Sequence, residues 1–287
     1  MESIYIKAYA KINLGLDVLS RRPDGYHEVK MIMQTIRLFD KLAIRKTHTP
    51  GISMKSNLPY LPEDENNLVW RAARLFFETV GLPPSIHVDL DKHIPVAAGM
   101  AGGSSDAAAA LTGLNELYHT GLSLARLQAI GVQVGADVPY CLLQGTALSE
   151  GIGEILTPLA PAPPAYCLIV KPPVSVSTRS VYEQLDLATA PHPDIDAALV
   201  ALQKNDLAGL CAVLGNTLES VTIPKYPEIA EIKEKMRKLG ALGALMSGSG
   251  PTVFGLFQNK KEADHAFYEF KVSEYGRQTY LTVFYNR

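Results

Sequence analysis

Two glycine- and serine-rich stretches stand apart from the rest of this chain. In the first, Pro95, Val96, Ala97, Ala98, Gly99, Met100, Ala101, Gly102, Gly103, Ser104 and Ser105 lead into Asp106 and a run of four alanines. Glycine removes the Cβ that keeps ligands away from backbone amides and reaches positive φ cheaply. Alanine is the strongest helix former. A helix is therefore expected to begin just after Gly103, with Ser104, Ser105 or Asp106 as its N-cap. Its unpaired N–H groups and positive dipole end would face the loop, and the serine hydroxyls would add donors: the chemistry of a phosphate cradle. The same residues also suit a tight strand-to-helix turn that only packs small side chains. Neither G-x-x-x-x-G-K-[ST] nor G-x-G-x-x-G fits the stretch. The second stretch, Met246 to Phe254, reads Met-Ser-Gly-Ser-Gly-Pro-Thr-Val-Phe. It offers further amides to close around phosphates or brace the first loop, or else a tight hairpin turn.

Three other segments carry groups that can do chemistry. In Ala8 to Gly15, strand periodicity puts Lys11 and Asn13 on one face and Ile12 and Leu14 on the other. That arrangement serves either a binding site or a solvated face. Asp24-Gly-Tyr-His27 holds an aromatic and a titratable ring just after a turn, suited to stacking on or hydrogen-bonding a flat ligand, or to lidding a core. In Gly135-Ala-Asp-Val-Pro139, Asp137 is expected between a helix and a strand. There it would receive a hydroxyl proton or merely cap a turn.

The elements that must position these groups follow from periodicity and punctuation. Ile4 to Arg45 reads as strands broken at Pro23-Asp24-Gly25. Asn67 to Val80 reads as a helix stopped by Gly81, and Ile86 to Leu90 as a strand. After the glycine loop and its helix come a helix near Ser123 to Val134 and strand-like residues from Tyr140 to Leu148. The proline-rich Leu159 to Ala165 is too stiff and donor-poor for regular structure and marks a boundary between domains 1–160 and 161–287. Beyond it are expected a strand at Cys167 to Lys171 and helices over Arg179 to Leu185, Asp194 to Leu214 and Glu228 to Leu239. A last helix and the strand Thr279 to Tyr285 complete an α+β pattern.

Composition bounds the rest. With 287 residues, 47% of them hydrophobic, the chain needs no staples, because a chain of this size buries roughly 75% of its unfolded surface. Cys141, Cys167 and Cys211 are odd in number and widely spaced, which suits a reducing compartment and small core residues. The net charge of −2, without a block of like charges, argues against nucleic acid. No run approaches the ~20 apolar residues of a membrane span, so a cytoplasmic protein is expected.

Taken together, the segments resemble the GHMP kinase family. Three family motifs stand in order: Lys11-Ile-Asn-Leu14, Pro95 to Ser105, and Ser247-Gly-Ser-Gly-Pro-Thr252. Arg22-Pro-Asp-Gly-Tyr-His27, Gly135 to Pro139 and Gly215-Asn-Thr-Leu-Glu219 point to the branch acting on a cytidylyl sugar alcohol. The likeness runs from Ile6 to Phe257. It implies a two-domain fold, an N-terminal β/α domain with the phosphate loop and a C-terminal α/β sandwich. It also implies transfer of phosphate from ATP, with Mg2+, to the 2-hydroxyl of 4-diphosphocytidyl-2-C-methyl-D-erythritol, on the non-mevalonate route to isoprenoid precursors. By the same resemblance Asp137 is the general base and Lys11 its electrostatic partner. Tyr26 and His27 hold the cytosine, Thr178 and Tyr182 lie on the substrate side with Tyr182 on the other face of the base, and Asn13 sits beside the substrate hydroxyls. Asn67 and Lys92 are the candidates for the adenine pocket. No magnesium ligand is singled out, and either a monomer or a homodimer is compatible with the sequence.

Overall fold

The computed structural model describes residues 2–286. Two long strands, β1 (Ser3–Arg21) and β2 (His27–Lys46), open the chain, followed by β3 (Gly51–Ser56), α1 (Leu68–Val80), β4 (Ser85–Asp91) and α2 (Gly102–Leu117). Next come α3 (Leu124–Val134), α4 (Val138–Leu143), β5 (Thr146–Glu150), β6 (Ile155–Pro158) and β7 (Tyr166–Val170). The remainder comprises α5 (Thr178–Glu183), α6 (Ile195–Gln203), α7 (Leu207–Ala212), α8 (Glu219–Lys225), α9 (Glu228–Lys238), β8 (Gly243–Met246), β9 (Val253–Phe257), α10 (Lys260–Lys271) and β10 (Thr279–Val283). This is the α+β fold with two sheets that the motifs implied.

The chain forms two compact units, neither continuous in sequence. One comprises the chain up to Ala10 with Leu38–Val96 and Ala101–Leu143; the other comprises Lys11–Arg37, Ala97–Met100 and everything from Gln144 onward. Both sides of the proline-rich stretch at 159–165 therefore lie in the second unit.

In the first unit, β4 pairs antiparallel with β2 from Lys41↔Asp91 to Lys46↔Ile86, and parallel with β3. Asn67 caps α1 by accepting from the Val69 N–H, and Gly81 closes it at φ 69°, so both ends follow the sequence signals. Phe76 and Phe77 of α1 are buried beside α2, whose Ala107 to Ala110 are buried in turn. Small side chains there let the helices approach closely.

In the second unit, β2 continues against β5 (Met31↔Ser149 to Gln34↔Thr146), and β5 pairs with β6. A separate antiparallel sheet runs in the order β10-β7-β9-β8. Its strands β8 and β9 are buried throughout, packed on α9.

Three expectations about elements need correction. First, α2 starts at Gly102, with Ala101 in the cap position at φ 55° and no side-chain cap. Ser105 and Asp106 are not free to cap because each is committed to a buried partner elsewhere. Second, the apolar run from Tyr140 is not strand but α4, with Pro139 in its first turn, where proline's missing N–H costs nothing. A short unbroken apolar run carries no period by which to choose. Only after Gln144 and Gly145, both at positive φ, does β5 begin. Third, Asp194 to Leu214 is two helices, since Asn205 adopts φ 53° and Asp206 caps α7 through the Gly209 N–H at 2.9 Å.

Candidate active site

The glycine loop is built from unusual backbone. Ala97, Gly99 and Ala101 all lie in the left-handed region, at φ 51°, 69° and 55°. Alternation of this kind turns N–H groups toward a common side, the geometry of an anion nest. Gly99 cannot be replaced, because a Cβ there would stand 2.1 Å from the Ser247 carbonyl oxygen. The two alanines bear the penalty that L-residues carry in this region, about 1–2 kcal/mol each. Ala97→Gly should therefore raise stability by about 1 kcal/mol, read as a higher urea midpoint at an unchanged slope. An unchanged or lower midpoint would refute the strain.

The second glycine-serine stretch lies beside the first. Ser247 donates its hydroxyl to the Gly99 carbonyl at 2.9 Å, and a Cβ on Gly248 would meet the Gly99 oxygen at 3.1 Å. Lys11, on β1, donates its backbone N–H to the Met100 carbonyl at 3.2 Å. Its ammonium donates to Asn13 Oδ1 at 2.8 Å, so the two side chains do share a strand face. Both are buried: Lys11 is 5% exposed and Asn13 fully enclosed, its amide donating to Met31 Sδ. Pro95, Ala98 and Met100 are buried, whereas Val96 and Ala97 are exposed and Gly99 half-buried.

Also in the second unit, the Arg22–Tyr26 loop closes with an Asx turn in which the Tyr26 N–H donates to Asp24 Oδ1 at 3.0 Å. Tyr26 is 59% exposed. His27 packs on Tyr182 with ring centroids 5.0 Å apart and planes tilted by 40°. The two rings are already in contact, which leaves no room for a flat base stacked between them. The geometry suits His27 at the edge of a flat ligand rather than across it. Burial, with a smaller contribution from nearby Arg21, pushes the His27 pKa down, so the imidazole is neutral at neutral pH with one donor and one acceptor. Thr178 Oγ1 lies 2.8 Å from Ser249 Oγ, which ties the start of α5 to the second glycine-serine loop.

In the first unit, Asp137 is half-buried in the turn leading into α4, between two helices rather than a helix and a strand. Its carbonyl accepts the Cys141 N–H at 3.0 Å. Two residues earlier, a Cβ on Gly135 would lie 3.7 Å from Ser104 Oγ, which sets this turn beside the first turn of α2. The neighbouring Ser105 is used structurally, its hydroxyl donating to the Tyr9 carbonyl at 2.6 Å. Gly102, half-buried, and Gly103, exposed, form the start of that turn's backbone and pack closely on Ile94 and Leu68 respectively.

Lys92 and Asn67 are held by internal partners. Asn67 spends its carbonyl on the Val69 N–H and its amide on the Pro62 carbonyl at 2.8 Å. The Lys92 ammonium lies between Asp40 and Asp106, 2.6 Å from Asp106 Oδ2. Asp40 also accepts from the backbone N–H groups of His93 and Ile94, the latter at 2.7 Å. All three side chains are almost completely buried. Burial opposes the charge on Lys92, but the two carboxylates outweigh it and raise its pKa. The Asp106 carboxyl is pushed well above the usual carboxylate range by burial and by Asp40, against the pull of Lys92. Its Oδ1 is a buried oxygen with no hydrogen-bond partner among the described residues. The triad ties residues 92–94, just after β4, to the first turn of α2, so both ends of the glycine loop are anchored. Sequence reading missed Asp40, which stands between Phe39 and Lys41 in a strand that carries several other charged side chains, so nothing local singles it out.

Residues 67–145 match the model for the GHMP kinases N terminal domain, and residues 198–275 the model for GHMP kinases C terminal. A 4-diphosphocytidyl-2-C-methyl-D-erythritol kinase from Lachnoclostridium phytofermentans is 60% identical over 99% of this chain and 98% of its own. The chain belongs to the GHMP kinase family. A relative of the same name from Lachnospira eligens is 51% identical over 98% of each chain. Among solved structures, a 4-(cytidine 5'-diphospho)-2C-methyl-D-erythritol kinase superposes with a TM-score of 0.85 at 35% identity, covering 99% of this GHMP kinase and 100% of the other chain. Among the described residues of this GHMP kinase, no helix is long and apolar enough to cross a membrane. Nor, among the described residues, is any group of three or more His, Cys, Asp or Glu side chains placed to hold a metal ion.

Proposed function

We propose that this GHMP kinase transfers the γ-phosphoryl group of ATP to the 2-hydroxyl of 4-diphosphocytidyl-2-C-methyl-D-erythritol, on the non-mevalonate route to isoprenoid precursors. The observation that carries this is the 60% identity over essentially the whole chain to a kinase of that name. The motif residues are present throughout. The substrate oxygen forms a bond to the γ-phosphorus while the bond from that phosphorus to the β,γ-bridging oxygen breaks, leaving ADP. Asp137 receives the hydroxyl proton, and the Lys11 ammonium, already oriented by Asn13, offsets charge near the attacking oxygen. Such a transfer is mostly positioning and electrostatics, which the amides of residues 95–105 supply around the triphosphate. Magnesium is proposed to arrive on the ATP phosphates, since Mg2+ is commonly held by phosphates with only one or two carboxylates.

Tyr26 and Tyr182 are assigned the faces of the cytosine and neutral His27 its edge, with Asn13 and Thr178 toward the rest of the substrate. Asn67 and Lys92 are proposed to shape the adenine side from behind, because their polar atoms are engaged internally. The sequence division at residue 160 is kept as a proposal, the two family models lying on either side of it. A cytoplasmic setting, no nucleic-acid partner and a monomer or homodimer complete the reading. The three free cysteines are all buried, as a reducing compartment allows.

ADP release by the purified protein with ATP and magnesium tests the assignment. Turnover is expected with the cytidylyl substrate and not with mevalonate or homoserine; the reverse pattern would overturn the substrate. Tyr182→Ala should raise the KM for the cytidylyl substrate by roughly 5- to 150-fold, the equivalent of one lost base stack, and leave the KM for ATP unchanged. An unchanged substrate KM would remove Tyr182 from the base site.

A further inference from the structure

The segment Gly215 to Glu219 is unused by the mechanism, yet it contains one of the most heavily bonded side chains in the second unit. Asn216 is 4% exposed. Its amide donates to the carbonyls of Met246 at 2.9 Å and Gly248 at 2.8 Å, while its own carbonyl accepts the Leu218 N–H at 2.9 Å. Three residues on, Glu219 accepts the Met246 N–H at 2.9 Å and both its oxygens take the Lys233 ammonium, at 2.7 and 2.6 Å. The segment is mounted on β1: the Leu16 N–H donates to the Gly215 carbonyl at 3.0 Å, and the Thr217 N–H returns to the Leu16 carbonyl at 2.9 Å. Lys11 and Asn13 lie on that same strand.

From Met246 the bonding continues into the glycine loop. Ser247 donates to the Gly99 carbonyl, and the two backbones approach so closely there that neither Gly99 nor Gly248 has room to spare. Thr222 of α8 donates to the Ser249 carbonyl at 3.2 Å and steadies the far side of the same turn.

We propose that Asn216, supported by Glu219, is a positioning residue for phosphoryl transfer: it fixes the 247–250 turn, which in turn sets the Gly99–Met100 backbone of the phosphate loop relative to Lys11. The inference rests on the assignment of residues 95–105 to the ATP phosphates. An asparagine is required because the site needs two donors facing carbonyls and one acceptor facing an N–H; leucine has the same branching but supplies none of them. Misplacement of a catalytic frame by even 1 Å costs on the order of 100-fold in rate.

The test uses Asn216→Ala and Ser247→Ala in the full chain, reading steady-state kinetics together with ATP and cytidine diphosphate affinities by calorimetry. Asn216→Ala should lower kcat/KM for ATP by about 10- to 100-fold and weaken ATP binding, with cytidine diphosphate affinity within about twofold of the parent. Ser247→Ala removes only the hydroxyl bonded to Gly99, and should give a smaller loss of the same kind if Asn216→Ala does not fold. Unchanged ATP parameters in the folded variants would overturn the proposal. Equal losses of ATP and cytidine diphosphate affinity would also overturn it, since they mark a general structural role. If the parent turned over none of the alcohols, the proposed function would fail, whereas selective loss of ATP affinity in the variants would still uphold the positioning role.

Discussion

Asp137→Asn should lower kcat by about 10²- to 10⁴-fold, the span that a positioned general base contributes. The substitution keeps the side chain's size, and the carbonyl that accepts the Cys141 N–H at the start of α4 belongs to the backbone. The thermal midpoint should therefore stay within about 2 °C of the parent, a shift of at most ~1 kcal/mol in a chain of this size. KM for ATP should barely move, because the amide still occupies the same turn beside Ser104. Quenched-flow measurement of ADP formation in a single turnover isolates the chemical step from product release. A single-turnover rate within about threefold of the parent would sink the base role and leave Asp137 as a residue of the turn. A loss near the low end of the range would mean that the carboxylate chiefly orients the hydroxyl, as a loose transition state permits.

Lys92→Met should destabilise the protein by about 3–5 kcal/mol, on the order of 10 °C in thermal midpoint, by leaving Asp40 and Asp106 buried without their cation. Asp40→Asn should be similarly severe. Asp40 accepts from Lys92 and from the His93 and Ile94 amides, so an NH2 group in place of either oxygen faces a donor. Asp106→Asn should be mild, because its carbonyl can still accept from Lys92 and its amide nitrogen takes the place of an oxygen that has no hydrogen-bond partner among the described residues. The pH dependence has a definite sign. A carboxyl whose folded pKa is raised holds a proton that the unfolded chain releases near pH ~3.9. Its contribution to stability is thus complete below that pH and is lost as pH rises toward the folded value. Urea unfolding across pH 4 to 8 should show this decline in the parent and its flattening in Asp106→Asn. Parallel curves for the two would show that Asp106 is ionised in the native protein.

Residues whose signal is local were legible in the sequence. Asn67 and Gly81 bound α1 as their types require, Ser123 caps α3, and the Pro23–Gly25 loop separates β1 from β2. The shared face of Lys11 and Asn13 follows from a period of two and is realised as a hydrogen bond. What was not legible depends on partners distant in sequence. The start of α2 was placed too late because Ser105 and Asp106 look like caps in isolation, whereas Tyr9 and Lys92 claim them in the fold. Asp40 gave no motif at all, and its partners lie more than fifty residues away. The nesting of the two glycine-serine loops depends on a 148-residue separation between Gly99 and Ser247 that no periodicity reports.

The backbone pairing of Leu16 with residues 215–217 also governs the order in which the protein can be assembled at the ribosome. Residues 11–37 emerge early, carrying Ile12, Leu14, Leu16, Val18, Ile32 and Met33, all of which end fully enclosed. Their unit is not complete until the chain has grown past Asn216. At ~5–20 residues per second, that leaves an apolar segment waiting on the order of ten to forty seconds. Nascent chains stalled between residues 150 and 200 should accordingly be the forms most dependent on chaperone shelter, and the most readily aggregated when synthesis outpaces it.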